Sequence, residues 1–357
     1  MMVRKVGFIC FGEVNTPYER LKAKHDQALK VLENPGVELV DAGIVLDDAG
    51  YETADKAIRI LESSRFCCLI VCVAGWIPSH AVIHVTDRFR HVPMLLWGLC
   101  GWMENGHIVT TADQAGTTAL RPVFEEMGYR YSYVYSTMDQ GHPEDKIDAF
   151  IRSAYSLQRL RTARIGTMGY RDMLLYGTQC EGTSLRSVLG IETEPFEMLE
   201  MIQNSENIRQ ADIDKWKSYI DQNWCIRNKT PQAEETVERG VRYALAIGKK
   251  VEERGYDAVT LLDVDGMKKL LGFPPAMVFM LLNRIYGVQV IPENDILGSA
   301  TQLMMHFATE ETVPYLEYYE FFKDYLLAGV PDFIPESAVD GPVSMLPAAF
   351  GLLNSSL

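Results

Sequence analysis

The 357 residues, 47% hydrophobic and 23% charged, describe a globular chain long enough for two domains and a sizeable core. A net charge of −14 without any basic cluster argues against nucleic acid or an anionic membrane surface as partner. Metal cations and neutral small molecules remain open.

Seven cysteines, several inside apolar runs such as "RFCCLIVC" (Cys67, Cys68, Cys72), include no C-x-x-C pair, so neither a zinc ribbon nor a thioredoxin-type motif is supported. They read as buried free thiols of a reducing cytosol. The first strand starts at Val3, no charged and then apolar leader precedes it, and no apolar run reaches transmembrane length. A cytoplasmic protein without a membrane partner is expected.

Residues 1–160 alternate short β-rich runs with helical patterns. The runs "KVGFICF", "VELVDAG", "FCCLIVCVAG", "PMLLWG" and "YSYVYS" predict strands. Between the first two, "YERLKAKHDQALKVLEN" places Leu21, Ala28, Leu29 and Leu32 at helical spacing. Near-continuous apolar strands alternating with helices predict a parallel sheet covered on both faces, hence a doubly wound, Rossmann-like α/β domain. The helix "PEDKIDAFIRSAYSLQRLRTAR" closes it. A second α/β domain, 161–330, opens with "RIGTMGYRDMLLYG" and has a charged, largely helical middle. Neither domain shows a G-x-G-x-x-G opening a helix, and no Walker loop is present, so a dehydrogenase or nucleotide-binding reading finds no phosphate loop.

Within the second domain, "RGYDAVTLLDVDG" echoes "RIYGVQVIPENDI" at an offset of 30 residues, aligning Tyr256 with Tyr286, Asp263 with Glu293 and Asp265 with Asp295. That is close to one β-α-β unit, and "MKKLLGFPPAMVFMLLNRIYG" between them is long enough for the crossover helix. Two neighbouring parallel strands would then deliver carboxylates to the crevice at their C-terminal ends. Converging carboxylates repel unless a cation or shared protons compensate. One reading is a Mn²⁺ or Mg²⁺ site involving at least Asp265 and Asp295. The other is that the acids cap the following helices, as Asp295 would before "ILGSATQL". The two are compatible.

The combination of "VAGWIPSH", "LRTARIGTMGYRDMLLYG" and "PENDILGSATQL" resembles the L-fucose isomerase and L-arabinose isomerase superfamily across essentially the whole chain. The resemblance implies two Rossmann-like α/β domains and a third, mainly β domain that supplies a metal-binding histidine. It points to Asp295 as a metal ligand with Glu293 beside it, to Asp265 as the other acid with Asp263 as fallback, and to Mn²⁺ with Mg²⁺ as substitute. In such an isomerase the metal polarises the carbonyl of an open-chain sugar, while carboxylates (here Asp265, Asp295 and Glu293) move the proton through an ene-diol. Trp76 resembles a tryptophan that packs against the sugar in a neighbouring subunit's site, which implies a homo-oligomer, and His80 would reach the same crevice. All seven histidines precede residue 307, so residues 331–357 read as the start of a truncated or lost third domain. A non-catalytic sugar-binding or regulatory module is therefore the alternative to an isomerase. Fold alone does not decide between them.

Other residues have plainer readings. His80 and His84 at i and i+4 have ligand spacing but lack the Glu of H-E-x-x-H, and a pocket or interface role suits His80 better. Trp97 and Trp102 fit a core role. His306 fits a solvated or core position, Cys180 an incidental thiol, and "EMLEMIQNSENIRQADIDKW" an outer helical face.

Overall fold

The computed structural model describes residues 3–227, 231–330 and 333–345. The chain divides into two compact units, Met1–Gln158 and Arg159–Leu357. Each contains a parallel sheet with helices, so the protein is α/β with two Rossmann-like sheets.

In the first unit, β1 (Arg4–Phe11), β2 (Val37–Val45), β3 (Leu69–Val73), β4 (Met94–Gly98) and β7 (Tyr131–Tyr135) form one sheet in the order β2-β1-β3-β4-β7. Every pairing in it is parallel. A two-stranded antiparallel hairpin, β5 (Trp102–Glu104) and β6 (His107–Val109), follows β4. Side chains alternate between sheet faces with period two, so a strand buried on both sides must be apolar throughout. On one face Ile9, Phe11, Leu69, Val71 and Val73 pack with Ala54, Ala57 and Leu61 of α2 (Glu52–Glu62) and Leu120 and Phe124 of α4 (Asp113–Glu126). The same cluster takes Ala81, Val82 and Val85 of α3 (Ser79–Thr86). On the other face Phe8, Cys10, Ile70 and Cys72 meet Leu21, Ala28 and Leu32 of α1 (Tyr18–Leu32) and Ile147 and Ile151 of α5 (Glu144–Leu160).

In the second unit, β8 (Arg164–Met168), β9 (Glu192–Phe196), β11 (Ala258–Leu261) and β12 (Gln289–Ile291) form a parallel sheet in the order β12-β11-β8-β9. Its larger core packs on α9 (Pro231–Arg254) and α10 (Ala276–Tyr286); the smaller, on the other face, uses α6 (Gly182–Leu189) and α11 (Ile296–Thr309). α9 and α10 approach closely at two glycines. A Cβ on Gly248 would lie 1.9 Å from the Tyr286 ring, and one on Gly240 2.2 Å from Met277 Sδ. Between β9 and α9 run α7 (Met198–Glu206), which starts with a Glu197/Glu200 capping box, and α8 (Gln210–Asn223). A short strand β10 (Trp224–Ile226) pairs parallel with β15 (Val343–Met345), and β13 (Glu317–Phe321) forms an antiparallel hairpin with β14 (Leu326–Gly329). Of the segment 331–357, residues 331–332 and 346–357 lie outside the described residues.

Among the described residues no helix is long and apolar enough to cross a membrane. All seven cysteines are free thiols.

Candidate functional site

The strand ends of the second sheet hold the predicted acids. β11 and β12 are parallel neighbours, as the internal echo implied, but their register pairs Ala258 with Gln289 and Thr260 with Ile291, an offset of 31 rather than 30. The chain leaves β11 in a single π-helical turn, Asp263–Lys268, and leaves β12 through Glu293 and Asn294, whose φ values of 64° and 51° are left-handed. Such a backbone persists only when its surroundings over-determine it. Here Asp263, fully buried, accepts the Glu293 N–H at 2.6 Å, while Asn294 donates its amide to the Met168 carbonyl at 2.9 Å. Asp295 then caps α11, its Oδ1 accepting from Gly298 N–H at 2.8 Å. Burial raises its carboxyl above the ordinary carboxylate range, against the pull of those backbone donors.

Asp172, which sequence reasoning passed over, organises the same edge. It is fully buried and accepts three backbone N–H groups, from Met173 at 3.0 Å and from Val264 and Asp265 at 2.8 Å each. One carboxylate thus closes the loop after β8 onto the π-turn after β11. Its only sequence signal is an Asp four residues past an apolar strand end. Around it Tyr170 and Tyr176 are 74% and 84% exposed, and Arg171 lies 4.4 Å over the Tyr176 ring.

These contacts decide what the acids can do. Asp263 pairs with Lys268 at 3.2 Å, and Asp265 pairs with Lys269 at 2.6 Å, a contact that holds its carboxyl below the usual range. A cation at either carboxylate would sit against an ammonium. Among the described residues no group of three or more His, Cys, Asp or Glu is placed to hold a metal ion. The manganese-binding expectation is corrected accordingly: among the described residues Asp263 and Asp265 sit against Lys268 and Lys269, Asp295 caps α11, and no ligand group for a divalent ion is formed.

The first unit places Trp76 and His80 at the C-terminal edge of its own sheet. The order β2-β1-β3-β4-β7 puts the topological switch point between β1 and β3. Trp76 leaves β3 there, 40% exposed, on a rigid backbone: its N–H donates to Thr111 O at 2.8 Å and its carbonyl accepts from Glu13 N–H at 2.9 Å. His80 and His84 lie on α3 and both face Tyr51. His84 stacks on that ring at 4.3 Å and bonds Asp55 at 3.0 Å, and His80 meets it edge-on at 6.0 Å. Behind the edge, the nearly fully buried Lys24 of α1 pairs with Asp113 of α4 and donates to Thr111 Oγ1 at 2.8 Å. Trp97 is in the core; Trp102 lies on β5, under the cations of Arg20 and Lys24.

Beside this edge opens a cleft of about 490 Å³, lined by Ile108 and Thr110 of the hairpin, Gln114 of α4, and Tyr133, Tyr135 and Thr137 of β7 and its exit. The two tyrosine rings stand 5.7 Å apart at 30°. Gln114 ties the floor together, donating to Leu99 O at 2.7 Å and Ser136 O at 3.0 Å. No residue lining it is charged. The hairpin wall was missed from sequence although "ENGH" carries the signal: Asn105 and Gly106 both adopt positive φ, 51° and 79°, as a tight two-residue hairpin turn requires.

No family model matches the chain, and no curated protein matches it. Solved structures with a similar trace include a periplasmic solute-binding protein of an ABC transporter from Actinobacillus succinogenes 130z with bound D-allose (10% identity, TM-score 0.23, covering 91% of this chain and 96% of that one). Another is the periplasmic binding component of an arabinose ABC transporter from Shewanella sp. ANA-3 (11% identity, TM-score 0.22, covering 81% and 89%). A third is an ABC transporter solute-binding protein from Burkholderia multivorans (9% identity, TM-score 0.22, covering 87% and 95%). They are named as solute-binding proteins and not as fucose or arabinose isomerases, and at these TM-scores the likeness assigns no role. The expected superfamily membership, isomerase activity and assignment as an enzyme are withdrawn, and what stands is the α/β fold.

Proposed function

We propose that the chain is a non-catalytic binding module for a neutral, sugar-class small molecule, seated in the cleft between the β5–β6 hairpin and β7. The observation that carries this reading is the lining. Tyr135, with Tyr133 beside it, offers a ring face to the C–H face of a pyranose or furanose, while Thr110 and Thr137 offer hydroxyls and Gln114 its amide oxygen to its hydroxyls. None of the lining residues is charged, and the nearest cation shown is Arg121, 4.7 Å over the Tyr133 ring. The volume lies within the range of small-molecule sites, roughly 300–1,000 Å³. Trp76, at the neighbouring switch point, is a further stacking surface.

Binding without turnover agrees with the state of the acids. Asp263 accepts a backbone donor, Asp295 caps α11 and Asp265 pairs with Lys269, contacts that support structural roles for these acids. A cytoplasmic location is part of the same proposal, supported by the seven free thiols, four of them buried.

The test is calorimetry of the chain with D-allose, L-arabinose and a hexuronate. Binding of a neutral sugar, weakened at least tenfold by Tyr135→Ala, is expected; that factor corresponds to about 1.4 kcal/mol. Affinity for the hexuronate alone, or a neutral-sugar affinity indifferent to Tyr135→Ala and Gln114→Ala, would overturn it.

A further inference from the structure

Asn105-Gly106 is the only Asn-Gly pair in the chain. It forms the turn of the β5–β6 hairpin, with φ values of 51° and 79°. Three observations set this asparagine apart. Residues 103–108 are all exposed, so water reaches the turn. A Cβ on Gly106 would meet nothing within 4 Å, so no side chain stands over the Asn105–Gly106 peptide. Among the described residues the Asn105 amide makes no hydrogen bond, whereas those of Asn207, Asn223, Asn283 and Asn294 each donate to a backbone carbonyl.

We propose that Asn105 is a modification site, converting spontaneously to isoaspartate, and that the conversion opens the hairpin wall of the cleft. The Gly106 backbone nitrogen, its proton given up to hydroxide, attacks Asn105 Cγ. The bond from Cγ to the side-chain nitrogen breaks, ammonia leaves, and a succinimide ring closes. Water then adds to one of the two ring carbonyls. Addition at Cγ restores the backbone and leaves aspartate. Addition at the main-chain carbonyl routes the backbone through Cβ and Cγ, as isoaspartate. Hydroxide and water are the only reactants.

Glycine favours the closure because it carries no Cβ and adopts backbone angles that other residues resist. Closure also needs Asn105 to leave its left-handed turn conformation, and little holds it there. β5 and β6 are three residues each and, among the described residues, pair with no third strand. A two-stranded hairpin of this kind is marginally stable in water. Isoaspartate adds a methylene to the backbone of a two-residue loop whose length fixes the pairing of Glu104 with His107. Ile108 lies on β6 and Thr110 just beyond it, and both line the cleft, so the wall shifts with the register. Ordinary aspartate keeps the turn, since Asp-Gly suits a tight hairpin as Asn-Gly does. The consequence for the ligand rests on the sugar-binding reading; the modification itself does not.

The experiment ages the full chain in mildly alkaline buffer at physiological temperature, with Asn105→Gln and Asn105→Asp alongside. Peptide mass reads the exchange of NH2 for OH, and fragmentation across the Cα–Cβ bond identifies isoaspartate. Conversion at residue 105 with loss of hydrogen-exchange protection at amides 103–108 is expected. Affinity for D-allose or L-arabinose, whichever the fresh chain binds, should fall at least tenfold on ageing, about 1.4 kcal/mol. Fresh Asn105→Asp and aged Asn105→Gln should bind as the fresh wild type does. A residue 105 that stays asparagine in the folded chain, over times that convert it in the urea-unfolded chain, overturns the site. Conversion that leaves the hairpin's exchange, or the affinity of a sugar-binding chain, unaltered overturns the opened wall. A fresh chain that binds no sugar tells against the ligand reading alone, because mass and exchange still decide the modification.

Discussion

The C-terminal edges of the two sheets are built from the same kind of strand yet end in opposite chemistry. In the first unit the charged pair that sets the edge, Lys24 with Asp113, is buried behind it, and the surface left to a ligand is neutral and aromatic. In the second unit the carboxylates stand at the strand ends themselves, and each is taken up by the loops around it: Asp172 and Asp263 by backbone N–H groups, Asp295 by the start of α11, Asp265 by Lys269. Acids at a sheet edge suggest chemistry because that edge is where ligands bind. The comparison teaches that the same residues are equally good at closing turns whose amides would otherwise be orphaned.

The largest expected effects come from breaking each edge at its buried charge. Lys24→Met strands Asp113 without its partner and is expected to cost about 3–5 kcal/mol, read from the urea midpoint. The double change Lys24→Met with Asp113→Leu is expected to recover most of that loss, which separates an unpaired charge from lost packing. Asp172→Ala removes the acceptor of three backbone donors and is expected to destabilise by about 3 kcal/mol or more. It should leave sugar affinity in the first-unit cleft unchanged; a matching loss of affinity would mean the two edges are not separate in function. Asp295→Ala removes only a helix cap, for which about 1 kcal/mol is expected, and Asp295→Asn should be nearly neutral. A large loss in the Asn variant would show that the charge matters and would reopen the role of that carboxylate.

The smallest expected effect is a pH dependence confined to the first unit. His25 of α1 is buried between Asp41 of β2, at 3.1 Å, and Asp26, at 3.2 Å. The Asp41 contact raises its pKa to about 9, against the opposing effect of burial. A folded-state pKa above the unfolded value, near 6.5, means that this contribution is complete below about pH 6.5 and is lost as pH rises towards 9. A pH series of urea midpoints should therefore show a decline over that window which His25→Gln removes.

Much of the first sheet was legible in the sequence: five apolar runs predicted strands, and β1, β2, β3, β4 and β7 lie on them. α1 was legible too, because Leu21, Ala28 and Leu32 recur on one face. The β5–β6 hairpin was legible in principle through Asn105-Gly106, but its strands are three residues long and too short for a periodicity to register. Asp172 carried no such signal. An Asp past a strand end looks the same whether it meets water, a metal or three amides, and nothing local distinguishes a π-turn across the sheet from empty solvent. The thirty-residue echo succeeded for the parallel pairing of β11 with β12 and failed by one residue in register, the strands pairing at an offset of 31.

By itself the sequence determined the α/β class and the positions of the first sheet's five strands, because periodicity and propensity act over a few neighbouring residues. Only the tertiary structure decided what the acids touch. Asp172 meets its donors 92 and 93 residues away, and Asp263 meets Glu293 30 residues away. A carboxylate becomes base, ligand or cap according to which donors reach it first, and those donors are assembled only when the loops of separate strands close over one edge.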